Sequence, residues 1–160
     1  MSRNLIVEAD GGSRGNPGPS GSGAVVIDAD TGELLAEISK FIGTATNNVA
    51  EYNALIAGLR ECYRIDTDAR VTVRMDSKLV IEQMGGGWKI KHPDMRTLAI
   101  EVQEIARGLN ISYQWIPREQ NSRADALANK AMDEASSEPA AVHLHPSITE
   151  FNQEKPSSVR

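Results

Sequence analysis

Apolar residues gather in five short runs with strand-like character, at residues 5–9, 24–27, 34–42, 71–75 and 111–116. The turn signal Asp30-Thr31-Gly32 joins the second run to the third, so the first three strands should form an antiparallel meander. The first run ends on Asp10 and enters a glycine-rich stretch, residues 11–23, that also holds Pro17 and Pro19 and is expected to be a loop. Helical spacing takes over where Tyr52, Leu55, Ile56, Leu59 and Tyr63 recur at intervals of three and four. Thr46, Asn47 and Asn48 offer capping side chains ahead of that helix, which places Glu51 in its first turn. The run at 71–75 ends on Asp76, and residues 77–84 read as a short helix broken by Gly85-Gly86-Gly87. Pro93 suits the first position of a helix with Met95, Leu98, Ala99, Val102, Ile105, Ala106 and Leu109 on one side, closed by Gly108 and Asn110. A last helix over residues 122–135 carries Asp125 in its first turn.

The order β-β-β-α-β-α-α-β-α predicts an α/β fold. Its sheet is mixed and five-stranded, an antiparallel meander followed by parallel strands, with helices on its faces. A chain of 160 residues is long enough for one such core without covalent staples. Residues 1–135 read as the single domain. Residues 136–160 are rich in Ser, Pro, Glu and Ala without periodicity and read as a disordered tail or a linker. The single cysteine, Cys62, lies on the apolar side of a predicted helix, and no segment is apolar for long enough to span a membrane or act as a signal peptide. A reducing cytoplasm is the expected setting, and no membrane partner is expected.

Four acids stand where an α/β sheet opens a crevice. Asp10 and Asp76 end predicted central strands, while Glu51 and Asp125 begin helices. Each alone has a plain structural explanation as a turn, capping or dipole-complementing residue. Together they make an all-oxygen ligand set suited to Mg²⁺, with Mn²⁺ as the other candidate. Two such ions with substrate bound could activate water on one side of a phosphorus and stabilise the leaving oxygen on the other. Phosphodiester hydrolysis is the reaction this favours. The predicted domain has one histidine, His92, which leaves no Ser-His-Asp triad, and the stretch "GGSRGNPG" lacks the Lys-Ser/Thr of a phosphate-binding loop. Glu8 shares a strand face with Asp10 but sits two residues back from the crevice, outside the metal set. The formal net charge of -5 argues at first against a nucleic-acid partner. Bound divalent cations would offset the four clustered carboxylates and leave a surface that can meet phosphate.

Four segments, "EADGGSRGNPGPSGSGAVV", "TNNVAEYNALIAGL", "MDSKLVIEQM" and "WIPREQNSRADALANKAMD", resemble the type 1 ribonuclease H family in order and spacing. The resemblance covers residues 5–134. It implies the ribonuclease H-like fold, with Asp10, Glu51, Asp76 and Asp125 as the metal-binding and catalytic acids and Mg²⁺ as cofactor. The implied activity is endonucleolytic cleavage of the RNA strand of an RNA-DNA hybrid, leaving 5′-phosphate and 3′-hydroxyl ends. It also points to Asn16, Asn47, Asn48, Ser77 and Lys78 as contacts to the hybrid, with short polar groups suited to reading 2′-hydroxyls across a shallow minor groove. Thr46 matches a position that helps hold a DNA phosphate. Two departures stand out. The basic helical protrusion of the best-known bacterial members is replaced by "GGGWKIKHPD", where Trp88, Lys89 and Lys91 could still form a small DNA groove. The loop before the last helix has no histidine; Arg118 is its stand-in, and Asn121 completes the expected substrate-binding set. A resolvase- or integrase-like nuclease would share the acids but cut DNA, and the "TNN" and "GNPG" segments argue against it. A binding module without catalysis would lack an acid. The expected state is a monomer, with a fused C-terminal domain in a longer natural protein as the alternative for the tail.

Overall fold

The computed structural model describes residues 2–87 and 89–137. Strands β1 (Asn4–Ser13), β2 (Gly18–Asp28) and β3 (Leu34–Ala45) come first, followed by α1 (Asn47–Ile65) and β4 (Arg70–Met75). A short α2 (Lys78–Ile81) continues as a π-helical turn, Glu82–Gly86. Then come α3 (Pro93–Ala106), β5 (Asn110–Trp115), a 3₁₀ turn at Arg118–Gln120 and α4 (Ser122–Ser137). The sheet runs β3-β2-β1-β4-β5, antiparallel across β1–β2 and β2–β3 and parallel across β1–β4 and β4–β5. This is the expected mixed five-stranded sheet with helices on its faces.

The core lies mainly between the sheet and α1. Leu5, Val7 and Ala9 of β1 and Val71, Val73 and Met75 of β4 are buried together with Tyr52, Leu55, Leu59 and Cys62 of α1. Alternation sends Ile6, Glu8 and Asp10 to the opposite face, where α4 packs across β2, β3 and β1. α3 packs on α1, contributing Ala99 and Val102 to the same core. Because β1 is central and β4 runs parallel to it, the C-terminal ends of both strands open at one edge.

The glycine-rich stretch departs from expectation. Only residues 14–17 form a turn; on either side β1 and β2 extend into the stretch as an antiparallel pair, with Gly11 opposite Ser22, Gly12 opposite Gly21 and Ser13 opposite Ser20. The glycines serve packing as well as turning. A Cβ at Gly11 would lie 2.2 Å from the carbonyl carbon of Ala50 in α1, and one at Gly23 would lie 2.2 Å from the carbonyl oxygen of Ala124 in α4. Bare backbone here lets two helices close on the sheet from opposite sides. Gly18 likewise has no room, its Cβ position falling 2.1 Å from the Arg14 carbonyl oxygen across the turn.

Other boundaries move less. Thr46 is the N-cap of α1, its hydroxyl accepting from the Val49 N–H at 3.3 Å, so Glu51 falls in the second turn and not the first. The short helix after Asp76 begins at Lys78, capped by Ser77, and widens to a π-helical turn from Glu82. α4 runs two residues past the expected end. The segment from Gly87 to His92 leads directly into α3, with no additional helix among its described residues; Trp88 lies outside the described residues, as does the tail from 138 to 160. His92 caps α3, its ring Nδ1 accepting from the Asp94 N–H at 3.2 Å. Among the described residues no helix is long and apolar enough to cross a membrane.

Candidate active site

Asp10, Glu51 and Asp76 converge at the strand ends. Each offers a carboxylate oxygen, and these atoms lie within 4.8 Å of one another. Asp10 comes from β1, Asp76 follows the last residue of β4, and Glu51 reaches over from α1. Two protein donors fix the set: the Gly11 N–H donates to Glu51 Oε1 at 3.0 Å, and the Asn121 amide donates to Asp76 Oδ1 at 2.9 Å. Each of these carboxylates thus has one oxygen tied to the fold, which orients the other. Asp125, in the first turn of α4, stands outside this tight group of three but lines the same cleft of 320 Å³.

The cluster is electrostatically strained. Burial, followed by the charges and contacts of Asp76 and Asp125, raises the Asp10 carboxyl to about 8. Burial and then the charges of Asp10 and Asp76 hold Glu51 well above the usual carboxylate range, against the pull of the Gly11 N–H. Such shifts belong to the group as a whole, because acids this close release their protons in sequence. Among the described residues the group offers oxygen ligands alone, and the fold by itself does not stabilise all of them as carboxylates at neutral pH. Those are the conditions under which a hard divalent cation fits.

The expected substrate contacts divide. Arg118 is exposed and lines the cleft with Asn47 and Arg14. Lys78 is exposed, and Ser77 is half-buried, its hydroxyl accepting from the Val80 N–H at 3.3 Å. Asn16 and Asn47 tie the β1–β2 connection to the start of α1: Asn47 N–H donates to Asn16 Oδ1 at 2.9 Å, and Ser13 N–H donates to Asn47 Oδ1 at 2.8 Å. Both residues stay exposed, and Asn47 lines the cleft. Thr46 and Asn48 sit beside them, half-buried. Asn121 does not stand at the surface. It is 1% exposed, and its amide bridges the Ala9 carbonyl and Asp76 Oδ1 at 2.9 Å each. Its placement is that of a brace between β1 and the Asp76 carboxylate, and its Oδ1 is buried without a hydrogen-bond partner. Glu8 is buried and faces Arg123 at 3.6 Å, clear of the cluster, and Cys62 is a core thiol pushed up to about 12 by burial.

Sequence reasoning passed over Trp115. The run Ile111, Tyr113, Trp115 alternates like a core-facing strand, yet β5 is an edge strand and Trp115 is 47% exposed at its end. The indole N–H donates to the Asp76 carbonyl at 3.2 Å. The signal available was positional, since Trp115 ends the strand beside the one that leads into Asp76.

A sheet of order β3-β2-β1-β4-β5, α1 and α4 on opposite faces and acids clustered at the ends of β1 and β4 define a ribonuclease H-like domain. The family model described as reverse transcriptase-like matches residues 8–131. A ribonuclease HI of Halobacterium salinarum is 45% identical over 127 residues, covering 79% of this chain and 63% of its own length. The chain belongs to the type 1 ribonuclease H family. A bifunctional protein of Mycobacterium tuberculosis is 54% identical over 138 residues, 86% of this chain. This chain spans 38% of that relative's length. The solved N-terminal RNase H domain of that protein matches at a TM-score of 0.82 and 53% identity, covering 87% of this chain and all of the domain. An RNase H1 isolated from compost, solved in complex with an RNA/DNA hybrid, matches at a TM-score of 0.78 and 42% identity over 82% of this chain and 99% of its own.

Proposed function

We propose that the domain hydrolyses the RNA strand of RNA-DNA hybrids at the Asp10–Glu51–Asp76 cluster, with Asp125 as the fourth acid and Mg²⁺ as the ion it holds. The observation that carries this reading is the oxygen-only triad within 4.8 Å, in which burial and the neighbouring acids raise Asp10 and Glu51. Family membership and the hybrid-bound relative support the choice of substrate. Mg²⁺, when bound, would supply Lewis-acid activation of water and stabilise charge on the leaving oxygen, the work of a two-ion site in phosphodiester hydrolysis. The protein's part is to hold the ligands. Gly11 and Asn121 each fix one carboxylate oxygen, so the remaining oxygens meet an ion without first being ordered.

Substrate recognition falls to the cleft rim. The amides of Asn16, Asn47 and Asn48, with Ser77, provide the short donors and acceptors that 2′-hydroxyls require, while Arg118 and Lys78 answer phosphate. Thr46 and Trp88 complete the reading on the DNA side. Products would carry 5′-phosphate and 3′-hydroxyl ends. The catalytic unit is the stretch through the end of α4 at Ser137, acting as a monomer, and residues 138–160 serve as tail or as linker to a further domain.

A gel assay of the labelled RNA strand tests the proposal, comparing hybrid, double-stranded RNA and double-stranded DNA with Mg²⁺ and with EDTA. Cleavage confined to the hybrid with Mg²⁺ is expected. Equal cutting of double-stranded DNA, or hybrid cleavage that persists in EDTA, would overturn it.

A further inference from the structure

The geometry points to Trp115 as a positioning residue that holds the Lys78 ammonium beside the acid cluster, ready for a phosphate of the bound hybrid. This inference rests on the proposed function and adds to it a residue that acts through Lys78. Trp115 is paired in register with Met75, so it stands level with the strand end from which Asp76 projects. Its indole N–H bonds the Asp76 carbonyl at 3.2 Å, which fixes the ring although nearly half of the residue is exposed. Lys78 Nζ lies 5.8 Å from the ring centroid, within the range of cation–π attraction.

The physical consequence lies in where the ammonium is not. Lys78 is two residues from Asp76, yet none of the ion pairs among the described residues joins it to the cluster. An ion pair with an acid would neutralise both partners and compete with a divalent cation for the same oxygens. The ring engages the ammonium through its π-face and leaves the charge intact, with N–H donors directed elsewhere. A lysine so held is a point charge for phosphate at low ordering cost.

The test measures the affinity of labelled hybrid by fluorescence anisotropy across a salt series, in an Asp10→Asn background with Mg²⁺ so that substrate stays whole. Lys78→Ala, Trp115→Gln, Trp115→Phe and the double variant Lys78→Ala/Trp115→Gln are compared, with a thermal melt of each. Trp115→Gln keeps an N–H donor without the ring, whereas Trp115→Phe keeps a ring face without the donor. Lys78→Ala is expected to reduce the slope of log affinity against log salt by about 0.9, the loss of one phosphate contact. Trp115→Gln should reproduce most of that loss, the double variant should be no weaker than Lys78→Ala alone, and Trp115→Phe should stay near the parent. An unchanged salt slope in either Lys78→Ala or Trp115→Gln, or additive losses in the double variant, would overturn the inference. Failure of the wild-type protein to cleave any hybrid would instead remove the functional reading on which it rests; normal cleavage with an additive cycle removes the inference alone.

Discussion

Asp10 and Asp76 are the residues on which the site depends most directly, because each ends a central strand and both border the same few ångströms of space. Replacing either by Asn keeps the shape and removes a charge that a bound cation needs. Turnover on hybrid should fall at least about a thousandfold for Asp10→Asn or Asp76→Asn, with the circular dichroism spectrum unchanged. Near-wild-type kcat in either purified variant would remove these residues from the chemistry. Asn121 illustrates a different kind of dependence. It looked from sequence like a polar residue of a substrate loop, but burial and two donated hydrogen bonds make it part of the scaffold beneath Asp76. A linear sequence gives its residue type and approximate place; only the packed fold gives the direction of its amide.

Gly11 and Gly12 are neighbours on β1 with opposite surroundings, and the difference says how the helices reach the sheet. At Gly11 an added Cβ meets the backbone of Ala50 at 2.2 Å, whereas at Gly12 the nearest atom is the flexible end of Met132 at 3.4 Å. Gly11→Ala must push α1 and Glu51 away from the cluster, a loss of about 1–3 kcal/mol or more by overpacking. Gly12→Ala should be neutral or stabilise slightly, since it also reduces the freedom of the unfolded chain. Urea unfolding of both variants checks the contrast, and equal midpoints would contradict it. The same glycines show what the sequence made legible and what it did not. Periodicity, with capping, Pro and Gly signals, located the five strands and the main helices, because runs such as Val71–Met75 and the spacing of Leu55 and Leu59 reflect burial directly; the 3₁₀ turn at Arg118–Gln120 left no such pattern. Glycine, though, signals turn and close approach alike, and so β1 and β2 were expected to stop where they in fact continue. The convergence of Asp10, Glu51 and Asp76 was readable because strand ends and the early turns of helices map to one edge of an α/β sheet. The exposure of Trp115 was not, because strand order is a tertiary property.

The packing of several carboxylates into one cleft makes the stability of the whole domain depend on pH and on cations. Asp10 is raised from 3.8 to about 8 in the folded protein, so within that window the native state binds more protons than the unfolded chain. Stability from this source is present below about pH 4 and is lost as pH rises through about 8. Glu51 shifts in the same direction. Asp28 and Asp66 are lowered by hydrogen bonds, chiefly from backbone N–H groups, and act oppositely, losing their contribution only as the solution becomes acid. With EDTA present, the melting temperature should therefore decline from about pH 5 to pH 8, and the Asp10→Asn variant should decline less steeply. A melting temperature that rises over that range in EDTA would contradict the strain assigned to the cluster.

The central claim is that these acids form a divalent-cation site, and thermal scans of wild type and Asp10→Asn with EDTA and with Mg²⁺, at pH 8 and matched ionic strength, test it most directly. A cation that binds only the folded state adds about 1.4 kcal/mol at about ten times its dissociation constant. For a domain of this size that is a rise of about 3 to 8 °C. Asp10→Asn removes a repelling charge and a ligand together. In EDTA it should melt at or above the wild-type temperature, and its response to Mg²⁺ should shrink. Equal Mg²⁺ responses in the two proteins would mean that Asp10 holds no ion, and the site as described would not be a metal centre.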